Sequence, residues 1–213
     1  MNRSRRVLAA VIVAVLLGAG GFLIGRLSSP AAATTPATTS AAAGFLRDMQ
    51  VHHAQAVDMA MTIRDISSDP ALRLLAYDIA LGQSQQSGQM FGLLESWGLS
   101  QSSSQPAMTW MSQPVIDGSS GDHGHAATAD GTMPGLATSE QLARLKAASG
   151  VEAEKLFLTL MIAHHRGGLE MAEGVLARTT VPQVVSMAKG IIVAQQSDID
   201  AMQKMLDQRD TSG

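Results

Sequence analysis

Apolar positions recur at helical spacing in two separated stretches of the chain, and the two stretches are copies of one another. FLRDMQVHHAQAVDMA fills residues 45–60 and FLTLMIAHHRGGLEMA fills residues 157–172, an offset of 112. Phe45, Leu46, Met49, His52, His53, Met59 and Ala60 recur as Phe157, Leu158, Met161, His164, His165, Met171 and Ala172, and Asp58 recurs as Glu170. On a helix turning about 100° per residue, Met49, Ala56, Ala60 and Ile63 lie within about 40° of one line. His52 then falls about 60° to one side and His53 about 40° to the other. Met59 lies next to His52, and Arg47, Asp58 and Asp65 fall on the far side. The second copy has the same wheel. Met161, Gly168, Ala172 and Val175 are central, His164 and His165 flank them, Met171 lies beside His164, and Glu170 is outside. All four imidazoles are therefore expected to face a core.

The pattern around the copies predicts two helical hairpins. A helix from about Ala42 to Ile66 is followed by Ser67-Ser68-Asp69-Pro70, where Asp69 suits an N-cap and Pro70 the first helical position. The next helix runs to about Trp97 and Gly98 ends it. In the second copy a helix from about Val151 to Arg178 is followed by Pro182, at the same offset as Pro70. The last helix reaches about Arg209. Gln83 and Met90 in the first hairpin recur as Gln195 and Met202 in the second. Residues 99–137, rich in Ser, Gly, Gln and Pro, read as a long mobile loop. Residues 138–149 read as a short helix capped by Thr138 or Ser139 and ended by Gly150. Gly167 and Gly168 cost about 1 kcal/mol each against Ala in mid-helix. Close helix approach, or room beside the histidines, is the expected compensation.

Ahead of the hairpins, Arg3, Arg5 and Arg6 precede an uncharged run from Val7 to Gly25. Residues 1–29 thus read as a signal or anchor segment with its start in the cytoplasm, long enough to span a bilayer. Residues 30–43 form a Ser/Thr/Ala/Pro stalk. The remainder is expected outside the cytoplasm, held to the membrane by this segment, or secreted if the segment is cleaved near Ala31-Ala32-Ala33. Neither hairpin can bury its apolar face alone. Residues 44–98 and 138–209 are therefore expected to pack as one all-α domain, a four-helix bundle joined by the long loop.

Composition narrows the functions. The net charge is −3 and aromatics are 3% of the chain. With no basic patch and no series of stacking rings, nucleic acid is excluded as a partner. The chain has no Cys, which excludes disulfides and thiol catalysis. No nucleophilic triad, phosphate loop or dinucleotide fingerprint is present, and the chain reads as a binding protein rather than an enzyme. Nothing in the sequence specifies an oligomeric state.

The repeated His pairs carry the chemistry. Each has a Met three residues before its first His and another six residues after its second. Imidazole with thioether suits copper, Cu(I) especially. His52, His53, His164 and His165 with Met49, Met59, Met161 and Met171 are the candidate metal ligands. His123 and His125, with Met108, Met111 and Met133, are candidates for auxiliary capture in the loop. Gln83 and Gln195 are candidate hydrogen-bond partners of the histidines. Two other readings exist. In one the histidines form a buried hydrogen-bond network in an interaction module that binds no metal. In the other the bundle is a di-iron oxidase, which needs Glu-x-x-His motifs that this chain lacks; Met49 and Met161 stand where those carboxylates would be.

The doubled HH-plus-Met segments, with MPG at 133–135 and AASG at 147–150, resemble the domain of unknown function 305 family over about residues 44–208. The resemblance implies a ferritin-like fold in a secreted or membrane-anchored protein. It also implies a link to copper binding and tolerance, carried to Met49, His52, His53 and Met59 and to Met161, His164, His165 and Met171. On this reading the protein is an extracytoplasmic binder or buffer of copper, Cu(I) before Cu(II), with silver as a further guest.

Overall fold

Ser40 sets the start of the first long helix, because its side chain accepts the Ala43 N–H and its own backbone is extended. The computed structural model describes residues 35–118 and 132–211, together with residues 2, 15, 17–20 and 22. Residues 1–35 and 36–213 form separate units, and the helices described here belong to the second. In chain order they are α1 (Ala41–Ile66), α2 (Pro70–Ser96), a 3-10 turn (Thr109–Ser112), α3 (Ser139–Ala147), α4 (Gly150–Leu176) and α5 (Pro182–Thr211). No strand occurs among the described residues.

Local signals explain most boundaries. Asp69 caps α2 through the Ala71 and Leu72 N–H groups, with Pro70 next in line. Gly98, at φ +66°, turns the chain away after Trp97. Thr138 and Gln141 form a reciprocal capping box on α3. Gly150 departs from expectation. The short helix already ends at Ala148, and Gly150, at φ +57°, opens α4 after Ser149. Glycine takes a positive φ without the clash a Cβ would bring, and here it does so at the first residue of a helix.

α1 pairs with α2 and α4 with α5, and the two hairpins join through α1 and α4, while α2 and α5 scarcely meet. The His-bearing helices thus form the central layer. Phe45, Leu46 and Met49 at the start of α1 share one apolar cluster with Met171, Ala172 and Val175 at the end of α4. Met59, Ala60 and Ile63 share the other with Phe157, Leu158 and Met161. The two helices therefore run antiparallel, and the histidines lie between the clusters. Burying each Phe or Leu of this set contributes about 1.5–3 kcal/mol.

The connection after α2 is more ordered than its composition predicts. The Met108 N–H and the Trp110 indole N–H both donate to Asp48 Oδ2, at 2.7 and 2.9 Å. Trp110 packs edge-on against Phe45 with centroids 5.8 Å apart. Gly44 makes room for it, since a Cβ there would meet the indole. Near the other end, Gln55 exchanges two hydrogen bonds with the Ala137 backbone, at 2.7 and 3.0 Å. Arg47, expected on the polar side, is buried beneath this connection. Its guanidinium donates to the carbonyls of Ser100 and Thr38. The wheel of an isolated helix cannot show a loop folding back over its polar face.

The expected membrane segment at 1–29 lies for the most part outside the described residues. Among those described, no helix is long and apolar enough to cross a membrane.

Candidate metal centre

His52, His53, His164 and His165 are all fully buried, where the two central helices cross. Their rings run in contact in the order 53, 52, 164, 165. The centroids are 6.5 Å apart for His52 and His53, 3.8 Å for His52 and His164, and 6.2 Å for His164 and His165. Both helices bring their pair to the crossing because each keeps an apolar stripe on that side.

Each ring has its Nε2 held by an oxygen. His52 Nε2–H donates to the Pro134 carbonyl at 3.1 Å, and His164 Nε2–H donates to the His52 carbonyl at 3.0 Å. His53 Nε2–H donates to the Gln86 amide oxygen at 2.8 Å. His165 Nε2–H donates to Asp198 Oδ2 at 3.2 Å. A carbonyl or carboxylate can only accept, so the proton sits on Nε2 and a neutral ring keeps its lone pair on Nδ1. All four Nδ1 atoms are buried without a hydrogen-bond partner. Both amide atoms of Gln83 and of Gln195 share that state.

Burial also keeps the rings of His52, His53 and His164 neutral. Desolvation, with a smaller repulsion from His165, brings His52 down to about 4. Desolvation and then His52 bring His53 down to about 3. His164 is held well below the ordinary histidine range by desolvation first and then by His52. Neutral imidazole is the form that ligates metal.

Two glycines make the close fit possible. A Cβ on Gly167 would strike the Pro134 carbonyl, the same carbonyl that takes the His52 proton. A Cβ on Gly168 would strike the Gln195 amide. Of the two alternatives raised by the sequence, close helix approach describes Gly168, which admits the Gln195 side chain of the neighbouring α5, while Gly167 admits loop backbone rather than a helix.

The candidate methionines split between the apolar clusters. Met49 and Met171 lie in one and Met59 and Met161 in the other, all fully buried. Gln83 and Gln195 are buried as well, yet neither bonds to a histidine. That part is taken by Gln86 and Asp198, three residues further along each helix. These two also stand 112 apart, but their residue types differ, so a search for identical repeats passes over them. Met108, Met111 and Met133 are buried in the first apolar cluster rather than displayed on a mobile loop. His123 and His125 lie outside the described residues. Gln86 further lines an open groove of about 660 Å³ together with Gln85, Gln89, Gln183, Ser186 and Met187.

Among the described residues, no three His, Asp or Glu side chains gather closely enough to hold a cation by themselves. The donor set that the crossing offers is thus imidazole lone pairs, with the candidate thioethers in the apolar clusters on either side. Its orphaned Nδ1 atoms and dry surroundings fit the donor chemistry of a soft monovalent ion.

The model of DUF305, a domain of unknown function, matches residues 42–206. A DUF305 protein of known structure from Streptomyces coelicolor is 42% identical, with a TM-score of 0.71 over 81% of this chain and 96% of that one. A DUF305 fragment from Deinococcus radiodurans is 31% identical, with a TM-score of 0.60 over 77% and 93%. CopM in its Cu(I)-bound form is 22% identical, with a TM-score of 0.55 over 77% and 94%, a likeness of fold. Among curated proteins, uncharacterized protein L153 of Acanthamoeba polyphaga mimivirus is 36% identical over 56 residues, which span 37% of its length.

Proposed function

We propose that this chain, which belongs to the DUF305 family, is an extracytoplasmic protein that binds and buffers copper at the crossing of α1 and α4. The observation that carries this reading is the set of four buried Nδ1 atoms, each left unpartnered because an oxygen holds the opposite ring nitrogen. His52, His53, His164 and His165 would supply imidazole nitrogen. Met49, Met59, Met161 and Met171 would supply sulfur, with Gln83 and Gln195 as buried amides nearby. CopM, of similar fold, is known in Cu(I)-bound, Cu(II)-bound and silver-bound forms. That range agrees with a soft donor set and supports silver as a second guest here. Copper is bound cargo on this reading, and no catalytic step is assigned.

The location rests on Arg3, Arg5 and Arg6 ahead of an apolar run. The Streptomyces coelicolor relative is itself designated a candidate secreted protein. Export by this segment, followed by retention or cleavage, is the corresponding proposal.

The test is thermal unfolding with and without Cu(I), on the wild type and on the His52→Ala/His164→Ala variant. Copper is expected to raise the wild-type Tm in proportion to binding and to leave the variant unmoved. A wild type that copper does not shift, at concentrations well above micromolar, would favour the structural reading of the four histidines.

A further inference from the structure

We propose that Asp198 is a positioning residue that makes the His165 end of the histidine row prefer the divalent ion, while Gln86 leaves the His53 end to the monovalent one. This rests on the copper reading above and goes beyond it, by dividing the repeat into two unlike halves.

The two residues occupy the same place in the repeat. Each stands on an outer helix, three residues beyond a buried glutamine, Gln83 or Gln195. Each presents an oxygen to the Nε2–H of a terminal histidine, at 2.8 Å for Gln86 and 3.2 Å for Asp198. Both therefore fix the same tautomer and leave Nδ1 free for a metal. They differ in charge. Of the four oxygens that hold the histidine N–H groups, two belong to backbone carbonyls and one to an amide; the carboxylate of Asp198 alone carries a formal charge.

That difference acts through the ring. A carboxylate hydrogen-bonded to an imidazole raises its basicity and its strength as a ligand. It also sets a negative charge one ring away from the metal position, and its attraction doubles when the ion carries two charges instead of one. His165 is fully buried and Asp198 is 30% exposed, so the interaction is only partly screened by water. The amide of Gln86 has a dipole but no net charge. With neutral imidazoles and thioethers as the remaining donors, that end favours Cu(I).

The experiment uses the full chain carrying Asp198→Asn, Gln86→Glu, or both. Cu(I) and Cu(II) affinities are measured by competition titration, along with the midpoint potential of the copper-loaded protein. Asp198→Asn keeps the oxygen and removes the charge. It is expected to weaken Cu(II) about tenfold more than Cu(I), raising the potential by about 59 mV. Gln86→Glu is expected to shift it the opposite way, and to do so even if Asp198→Asn folds poorly. A charge with a merely structural role would move the melting temperature of the copper-free protein and leave the Cu(I)-to-Cu(II) ratio alone. If wild type binds copper and neither substitution alters that ratio, the proposal is overturned while the copper reading stands. If wild type binds no copper in either state, both fall together.

Discussion

His164 lies against His52, its counterpart in the repeat, with ring centroids 3.8 Å apart, and its Nε2–H donates to the His52 carbonyl at 3.0 Å. The approximate twofold relation between the hairpins passes through this pair, but the hydrogen bonding breaks it. His52 does not return the bond to His164; it donates to Pro134 in the connection between the hairpins. The connection is thereby part of the site's wall, and its backbone approaches α4 where Gly167 gives way to it.

Glycine substitutions separate that packing role from simple helix propensity. Gly167→Ala would drive a methyl into the Pro134 carbonyl, a backbone group that cannot swing aside. It is expected to destabilise by about 3 kcal/mol. Gly88→Ala, in α2 with nothing near its Cβ position, is expected to stabilise by about 0.5–1 kcal/mol. Urea unfolding of both variants checks the contrast. Equal effects from the two would mean that the connection is not seated against α4.

Asp48 anchors the other end of the same connection. One carboxylate oxygen takes the Met108 and Trp110 N–H groups, and burial pushes its carboxyl above the usual range, against the pull of those two bonds. Asp48→Ala leaves two donors unpaired and is expected to cost about 3 kcal/mol, with a red shift of tryptophan emission as Trp110 meets water. Asp48→Asn keeps an acceptor and sheds a buried charge, so its cost should be less than half as large. An Asn variant as unstable as the Ala variant would show that the charge, and not the oxygen, holds the connection.

How much of this was readable in the chain differs by kind of signal. Helix starts at Pro70 and Pro182 followed from local backbone rules, and the burial of both His pairs followed from a wheel that needs only one helix. Arg47 was misplaced because its burial depends on a loop arriving from about fifty positions away. Gly150 opens α4 rather than ending the short helix, because Ala148 and Ser149 are already extended between the two. The partners of His53 and His165 could not be read from identity within the repeat. Gln86 and Asp198 fill one structural role with different side chains, and only the crossing of the helices shows which residue on the neighbouring helix lies within reach.

A buried ionic staple at the far end of the bundle was equally hidden. The guanidinium of Arg209 donates to Glu154 at 2.8 Å and to Asp69 at 2.5 Å, and the Ser67 hydroxyl donates to Glu154 at 2.5 Å. The group ties α5 to α4 and to the α1–α2 turn. Arg209→Met removes the cation and leaves the buried Glu154 carboxylate without a counter-charge, with only the Ser67 hydroxyl still donating to it, so a loss of about 3 kcal/mol is expected. The Arg209→Met/Glu154→Leu variant should recover most of it, since an apolar pair of similar volume replaces the ions. If the double variant is no better than Arg209→Met in denaturant unfolding, the loss comes from the Asp69 contact rather than from the buried Glu154 charge.

The neutral state of His52, His53 and His164 makes the stability of the copper-free protein depend on acid. In the unfolded chain a histidine takes up its proton near pH 6.5. In the folded protein desolvation holds His52 to about 4 and His53 to about 3, with His164 also well below the ordinary range. Both states are neutral above about pH 6.5, so the native advantage is then complete. As pH falls below that value the unfolded chain binds protons that the folded protein refuses. Stability should then drop by about 1.4 kcal/mol per pH unit for each such histidine, until the folded value is reached. For His52 the loss extends from about pH 6.5 to about 4. His52→Gln keeps a hydrogen-bond donor toward Pro134 but cannot titrate, and should remove about 1.4 kcal/mol per unit from the slope in that window. Urea midpoints at pH 7.5, 6 and 5, on wild type and variant without metal, measure both slopes. A wild-type midpoint that stays level from pH 7.5 to 5 would mean that the rings reach water, and that the crossing is not the dry site that the copper reading requires.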